Sequence, residues 1–281
     1  RNVPFLPRRD SPTLGNAMDH ALLAAVYACA GFAGLCLVLS IATREYSWVD
    51  RMWSIVPSFY TGWFAYAAGR FYPRLAIMTV LVVAWSVRLT YNFIRKGGFR
   101  PGGEDYRWAV LRAKMTPAQF AIFNVVFICA IQHALVLTFS LPAWVAARQA
   151  PSPLNAVDAI ATALFVLFLA GETIADQQQW NFHRRKAALG NVGPRFLTEG
   201  LFRYSRHPNF FCEQALWWSF YLVSIAAGAS WWNPSPAGPV LLTALFHGST
   251  DFTEKITASK YPEYADYQRT TSRLLPWFPG K

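Results

Sequence analysis

The chain has 281 residues and a formal net charge of +11, with 54% hydrophobic and only 15% charged residues. So few charges among so many apolar residues are typical of a membrane protein and argue against a soluble domain. The excess of basic residues would fit nucleic acid as a partner, but no nucleic-acid-binding motif is present, so nucleic acid is not expected.

Seven apolar stretches follow one another along the chain. They cover residues 19–42, 52–68, 75–94, 118–147, 156–175, 210–230 and 237–250. A bilayer core of about 30 Å is crossed by about 20 helical residues, so five stretches are long enough, whereas the second and the seventh are short. The sequence therefore predicts an all-α polytopic integral membrane protein with seven transmembrane helices, folded as a single membrane domain over residues 1–281.

The basic residues divide unequally between the two faces that seven crossings create. One face receives six of them and the other nineteen. Basic loops stay on the cytoplasmic side of a membrane, which predicts an outside N-terminus and a cytoplasmic C-terminus. The four cysteines lie in apolar stretches without metal-ligand spacing, so we expect packing roles for them and no metal site.

A long polar segment, 176–209, separates the fifth and sixth stretches and is expected to be a functional loop. Pro208 favours a helix start, which would bring Asn209 and Glu213 to one face of the first turns. Three neighbours could complete an anion site at that helix N-terminus: Arg203, Arg206 and His207. Asn209 and Glu213 could then bind an amide or a ribose hydroxyl. The alternative is a basic cluster that touches lipid headgroups.

The C-terminal tail carries Lys260, Tyr264 and Tyr267 at spacings of four and three residues. On a helix these residues form one stripe. The stripe is either a solvated face or a wall over a nucleotide.

Several motifs together resemble the steroid 5α-reductase superfamily, and most closely its bacterial branch of 5α-reductase-like membrane enzymes. They are the run 200–213 (GLFRYSRHPNFFCE), the run 260–267 (KYPEYADY), the final Leu275-Pro276 and the loop 103–108 (GEDYRW). The resemblance implies seven helices and NADPH bound at the cytoplasmic end by the last three helices and their loops. It also implies a bacterial inner membrane as the location.

The same resemblance implies roles for individual residues. Arg195 matches a phosphate contact, Asn209 and Glu213 match contacts on the nicotinamide side, and the tail tyrosines match residues near the adenosine. The full set of expected cofactor-binding residues is Asp176, Asn181, Arg195, Tyr204, Arg206, His207, Asn209, Glu213, Lys260, Tyr264 and Tyr267. The expected cofactor-binding segments are 176–208 and 251–281, and residues 1–18 are expected to be an N-terminal extension.

One position departs from the steroid enzymes. They carry a glutamate two residues before a Pro-Ser pair in the second helix, where it polarises the substrate carbonyl, whereas Ile55 occupies that position here. Another acid must then stabilise the developing enolate. The candidates are Asp50, Tyr60, Tyr91, His133 and Glu172, of which Asp50, Tyr91 and Glu172 are predicted to be catalytic.

The leading hypothesis is thus an NADPH-dependent reductase that transfers hydride to the β-carbon of a lipophilic, steroid-like or other enone substrate. Its expected partners are that substrate and membrane lipid, with no obligate protein partner. The rival hypothesis is an S-adenosylmethionine-dependent membrane methyltransferase of the isoprenylcysteine or phospholipid type, which the triplet 206–208 and Glu254 also resemble. A non-catalytic transporter is disfavoured, because no internal repeat is visible.

Overall fold

A computed structural model describes residues 14–69, 72–190 and 192–280. Within these ranges the chain is helical and forms no β-strand, which confirms the all-α prediction. The α-helices are α1 (Leu14–Thr43), α2 (Trp48–Trp53), α3 (Val56–Ala67), α4 (Pro73–Arg95), α5 (Tyr106–Ala113), α6 (Pro117–Phe123), α7 (Gln132–Arg148), α8 (Ala156–Ala188), α9 (Pro208–Ala226), α10 (Ala237–Lys260) and α11 (Tyr264–Thr270). A π-helix, Asn124–Ile131, joins α6 to α7, and a 3-10 helix, Gly200–Arg203, precedes α9.

Four continuous helices in these ranges are long and apolar enough to cross a membrane. They are α1, α4, the run Pro117–Arg148 and α8. The protein is therefore a membrane protein by length and composition of its helices, as predicted. Crossing by the other three stretches stays a prediction.

Each of the other three stretches has a structural reason for its weaker signal. Residues 52–68 are divided between α2 and α3. The helix α9 carries Asn209, Glu213 and Gln214, which lower its hydropathy. The helix α10 begins beside the middle of α7, because a Cβ atom added to Gly238 would lie 2.5 Å from the carbonyl oxygen of Thr138.

One end of the bundle is held by a buried ion pair between α4 and α8. The Arg74 guanidinium donates to both carboxylate oxygens of Asp158 at 2.7 Å, and it also bonds the carbonyl oxygen of Pro153. Asn155 caps α8 and bonds the last residue of α9, Ala226. The starts of α4 and α8 and the end of α9 therefore meet at this end.

The opposite end gathers the polar loops. Arg51 bonds Gly98, Arg107 bonds Ser249, and Gln178 accepts a hydrogen bond from the backbone of Leu201 at 2.9 Å. We call it the basic end, because the loops rich in arginine and lysine lie there. The charge pattern of the sequence thus corresponds to two structurally distinct ends.

Two boundaries differ from the prediction. The helix α1 begins at Leu14, inside the expected extension 1–18, whose residues 1–13 lie outside the described residues. The helix α8 continues to Ala188, so residues 176–188, predicted as part of a loop, are helical. Glutamine, arginine, lysine and alanine favour helix, so the polar segment extends α8 past its apolar part.

Candidate functional site

Three carboxyl groups and one guanidinium meet inside the bundle near its basic end. We call Arg88, Asn92, Glu172, Asp176 and Glu213 the buried charge cluster. Arg88 Nη1 lies 2.6 Å from Glu172 Oε1, and Arg88 also binds the carboxylate of Asp176. Asn92 Nδ2 donates to Asp176 Oδ2 at 2.7 Å. Each carboxyl-bearing residue is only 4% exposed, and Lys96 Nζ adds a second cation 3.8 Å from Asp176 Oδ1.

The cluster follows from the way α4 and α8 run side by side. Arg88 and Asn92 are four residues apart on α4, as Glu172 and Asp176 are on α8, so each pair lies on one helix face. The contacts Arg74 to Asp158 and Asn92 to Asp176 both join residues 84 apart, which shows that the two helices run parallel in one register. The Arg74–Asp158 ion pair and the buried charge cluster therefore both lie in the interface between α4 and α8.

The third carboxyl comes from α9. Both Glu213 oxygens accept indole hydrogen bonds, Oε2 from Trp85 at 2.9 Å and Oε1 from Trp217 at 3.0 Å. The two indole rings contact each other edge to face, with centroids 4.9 Å apart. The Glu213 carboxyl is thus fixed, and its charge acts on Glu172 within the same interior.

One carboxyl oxygen of the buried charge cluster lacks a hydrogen-bond partner. Glu172 Oε2 is buried and has no hydrogen-bond partner among the described residues. Buried polar atoms nearly always have a partner, so a proton or a donor group of a ligand fits this position. The cluster can therefore hold and deliver a proton inside a water-poor interior.

The other predicted catalytic residues lie apart from the cluster. The half-buried Asp50 accepts a hydrogen bond from Trp108 Nε1 at 2.9 Å, and burial together with nearby Asp105 raises the pKa of Asp50 to about 6. Tyr91 is 62% exposed on the outer surface of α4. Among the described residues, neither Asp50 nor Tyr91 makes a hydrogen bond or an ion pair to Glu172.

The two remaining acid candidates lie in the bundle interior. The Tyr60 hydroxyl is buried without a partner, which leaves a polar-ligand role open to it. His133 is 2.7 Å from the carbonyl oxygen of Cys129 through Nδ1 and 3.5 Å from Met52 sulfur through Nε2. His133 therefore has the contacts of a satisfied interior histidine.

A second network joins the start of α9 to the tail. We call Arg206, His207, Glu254 and Gln268 the Glu254 network. Glu254 accepts hydrogen bonds from Arg206 at 2.7 and 3.0 Å, from His207 at 2.9 Å and from Gln268 at 2.8 Å. Burial opposes ionisation, but the bonds from His207, Arg206 and Gln268 hold the pKa of Glu254 at about 2. Sequence reasoning gave Glu254 a place only in the rival hypothesis.

A groove of about 640 Å³ runs along the polar end of α8. Its walls include Gln178, Asn181, Arg184, Arg185 and Glu199. Exposed guanidinium groups beside amides form a surface that suits an anion. A groove of about 680 Å³ at the other end of α8 is lined mainly by apolar residues and lies far from the buried charge cluster.

The predicted cofactor-binding residues fall in several places. Arg195 is exposed, lies 3.5 Å from Glu263 and stands over the Tyr261 ring, so it does not meet Glu213. Tyr264 and Tyr267 are buried against Phe196, which excludes the solvated face for them.

Three further residues complete this set. Lys260 is exposed at the end of α10, and Tyr204 is exposed beside Phe278. Asn209 is half-buried one turn before Glu213, between the buried charge cluster and the Glu254 network, and its side chain makes no hydrogen bond among the described residues. Asn209 is therefore the predicted cofactor contact whose polar group is most clearly available.

The fold and this interior define an all-helical membrane protein with a charged cluster between its helices. A family model described as "Protein of unknown function (DUF1295)" matches residues 36–271. The chain belongs to the DUF1295 family.

The chain is also similar to an uncharacterized protein of Schizosaccharomyces pombe, with 36% identity over 263 residues, which cover 86% of this chain and 76% of the relative. No solved structure matches.

Proposed function

We propose that this protein is an NADPH-dependent membrane reductase of a carbon–carbon double bond in a lipophilic, steroid-like or other enone substrate, related to the steroid 5α-reductase superfamily. The observation that carries the proposal is the buried Glu172 carboxyl of the interior cluster, whose Oε2 has no hydrogen-bond partner among the described residues. Enone reduction requires an acid that stabilises the developing enolate oxygen in a site that excludes water. Glu172 supplies such an acid where the steroid enzymes use a glutamate in the second helix.

The residues of the buried charge cluster have different roles in the proposed reduction. Arg88 binds Glu172 Oε1 and so fixes the position of the carboxyl group. Glu213 is anchored by its two indole donors and stands beside Glu172 as the group that shares its proton. Reduction breaks the π bond and forms two C–H bonds, one with hydride and one with the proton that Glu172 delivers.

The chain offers two fitting sites for a dinucleotide. The Arg184 guanidinium at the α8 groove suits phosphate, whereas Arg185 beside it lies 3.6 Å from Glu199; the unbonded Asn209 amide suits a carboxamide. Arg195, which the resemblance implied, is paired with Glu263 and does not support this role. When bound, NADPH supplies the hydride that reduces the β-carbon. The basic loops around these residues support a cytoplasmic location for the site.

Ligand-dependent thermal stabilisation of the purified protein tests the proposal, because a ligand that binds the folded state raises its unfolding temperature. We expect stabilisation by NADPH and a smaller effect in Asn209→Ala and Glu213→Ala. Gln149→Ala, which removes an amide side chain beside Ala150 at the opposite end of the bundle, is the control and should behave as the wild type. Calorimetry that detects no nicotinamide nucleotide at millimolar concentration in an intact sample would overturn the proposal.

An S-adenosylmethionine-dependent methyltransferase is the second candidate. It is favoured by the Glu254 network, because Arg206 and His207 of one methyltransferase-like segment bond directly to Glu254 of the other. Adding S-adenosylmethionine and NADH to the same stabilisation series separates the candidates. Selective stabilisation by S-adenosylmethionine would replace the reductase by the methyltransferase.

A further inference from the structure

The tail after α11 is held in one conformation by the segment that precedes α9. Backbone hydrogen bonds run from Arg206 to Ser272 at 2.8 Å, from His207 to Arg273 at 3.1 Å and from Trp277 to Tyr204 at 2.9 Å. The Ser205 hydroxyl adds a bond of 2.7 Å to the carbonyl oxygen of Leu274. The tail is therefore ordered up to residues 277–280.

This ordered tail exposes its largest apolar side chains. Leu275 is 60% exposed, Trp277 69% and Phe278 78%. The Tyr204 ring meets Phe278 edge to face, and the backbone of Trp277 bonds that of Tyr204, so these exposed side chains lie on one short stretch of surface together with Leu275. An apolar patch that the backbone holds outward marks an interaction surface.

The depth of the patch follows from its contacts with α8. Gln178 of α8 bonds the backbone of Leu201 at 2.9 Å, and a Cβ atom on Gly171 would lie 2.8 Å from the sulfur of Cys212. Tyr204 lies between Leu201 and Cys212 in the sequence, and so between the levels of Gln178 and Gly171 on α8. The apolar part of α8 ends at residue 175 and a polar run begins at Asp176. The patch is therefore level with the boundary between the apolar and the polar part of α8.

The surroundings of the patch are basic. Arg203 is exposed next to Tyr204, and Arg273 is half-buried in the tail itself, whereas Arg269 is paired with Asp266. Tryptophan and tyrosine prefer the membrane–water boundary, and nearby arginines are attracted to anionic headgroups. The depth of the patch, its aromatic side chains and its basic neighbours all favour the membrane–water boundary as its surroundings.

We propose that the patch formed by Tyr204, Leu275, Trp277 and Phe278 inserts into the headgroup boundary of the membrane that holds the helices and favours anionic lipid there. The tail is then an interfacial anchor rather than a free end. Because the same tail residues bond Arg206 and His207, lipid contact also stabilises the Glu254 network. This inference does not depend on the proposed reaction.

Site-directed fluorescence in lipid nanodiscs tests the proposal. The native cysteines are all buried, so an environment-sensitive maleimide dye can be placed selectively at Trp277→Cys. We expect blue-shifted emission and stronger quenching by a nitroxide near the headgroup than by one deep in the acyl chains. Thermal unfolding of the labelled variant checks that it is folded.

Two matched positions on α8 calibrate the readout. Ala188→Cys lies about 20 Å beyond residue 175 along the helix axis and should report water. Val166→Cys, 50% exposed on the apolar part, should be quenched most strongly by the deep nitroxide. A dye at position 277 that behaves as at position 188 would overturn the proposal. Blue-shifted emission without any lipid quenching would also overturn it, since a protein would then cover the patch.

The preference for anionic lipid has its own readout. Replacing part of a zwitterionic lipid by an anionic one should increase quenching at position 277, and added salt or Arg203→Gln should reduce that increase. Equal quenching in both lipids would remove the anionic preference from the proposal.

Discussion

Two carboxyl groups at the basic end have opposite pKa shifts, and their surroundings explain the difference. Asp50 has one indole donor and a nearby carboxylate, Asp105, so burial raises its pKa to about 6. Glu254 has four hydrogen bonds from cationic, imidazole and amide donors, so its pKa is held at about 2 despite burial. Burial acts in the same direction on both carboxyls, and the hydrogen bonds from several donors reverse the direction of the pKa shift in Glu254.

Asp50→Asn tests the raised pKa. A carboxyl whose folded pKa is raised disfavours the folded state once the pH exceeds its unfolded value of about 3.8. We expect Asp50→Asn to unfold at a higher temperature than the wild type at pH 8, with a difference that shrinks between pH 6 and 4. Thermal scans over this pH range measure it, and a difference independent of pH would contradict the assignment.

The ion pair between Arg74 and Asp158, at the opposite end of the bundle, can be tested in the same way. Arg74→Ala leaves Asp158 buried without its partner, which costs roughly 3–5 kcal/mol. We expect a large loss of thermal stability from Arg74→Ala and a partial recovery when Asp158→Ala is added. A double variant no more stable than the single one would show that the pair is not the cause.

At the scale of elements, the Glu254 network ties α10, α11 and the start of α9 together. Glu254→Gln removes the charge that pairs with the buried Arg206 and should destabilise the tail by about 3 kcal/mol or more. Amide hydrogen exchange should accelerate in residues 264–275 before other regions. A uniform increase of the exchange rate over the whole chain would mean that the Glu254 network does not stabilise these elements specifically.

The lowered pKa of Glu254 predicts an acid dependence of the same elements. Its contribution is present above the unfolded pKa of about 4.5 and is lost as the pH falls toward 2. Wild-type protein should therefore lose more stability between pH 4.5 and 2 than Glu254→Gln does. Parallel losses in both proteins would contradict this origin.

The sequence predicted most helices from their apolar stretches, because helix length in a membrane is set by bilayer thickness. It also singled out Glu172 near the end of the fifth apolar stretch, Asp176 at the start of the polar segment and Glu213 in the first turns of the sixth. It could not pair them with Arg88, since the 84-residue register between α4 and α8 is a tertiary property. Nor did it predict the continuation of α8 or the position of Arg195, because polar segments carry no such length constraint.

At the scale of the whole molecule, the bundle has a tightly paired end and a polar, basic end. Maleimide labelling in sealed vesicles tests which end faces which side. Ala150→Cys at the paired end should react with an impermeant reagent from outside, and Ser259→Cys should react only after permeabilisation. The unmodified chain, with its buried cysteines, is the control. Labelling of both positions from one side would contradict the predicted orientation.

The parallel seam between α4 and α8 also has a consequence for biogenesis. Arg88 precedes Asp176 by 88 residues, so α4 leaves the ribosome long before its counter-ions exist. An unpaired arginine at the centre of a nascent membrane helix costs about 2.5–3.5 kcal/mol on insertion scales. Arg88 lies two turns from the end of α4, which lets its side chain reach the headgroups while translation continues. Pairing with α8 then draws it inward, so the last steps of assembly create the charged interior.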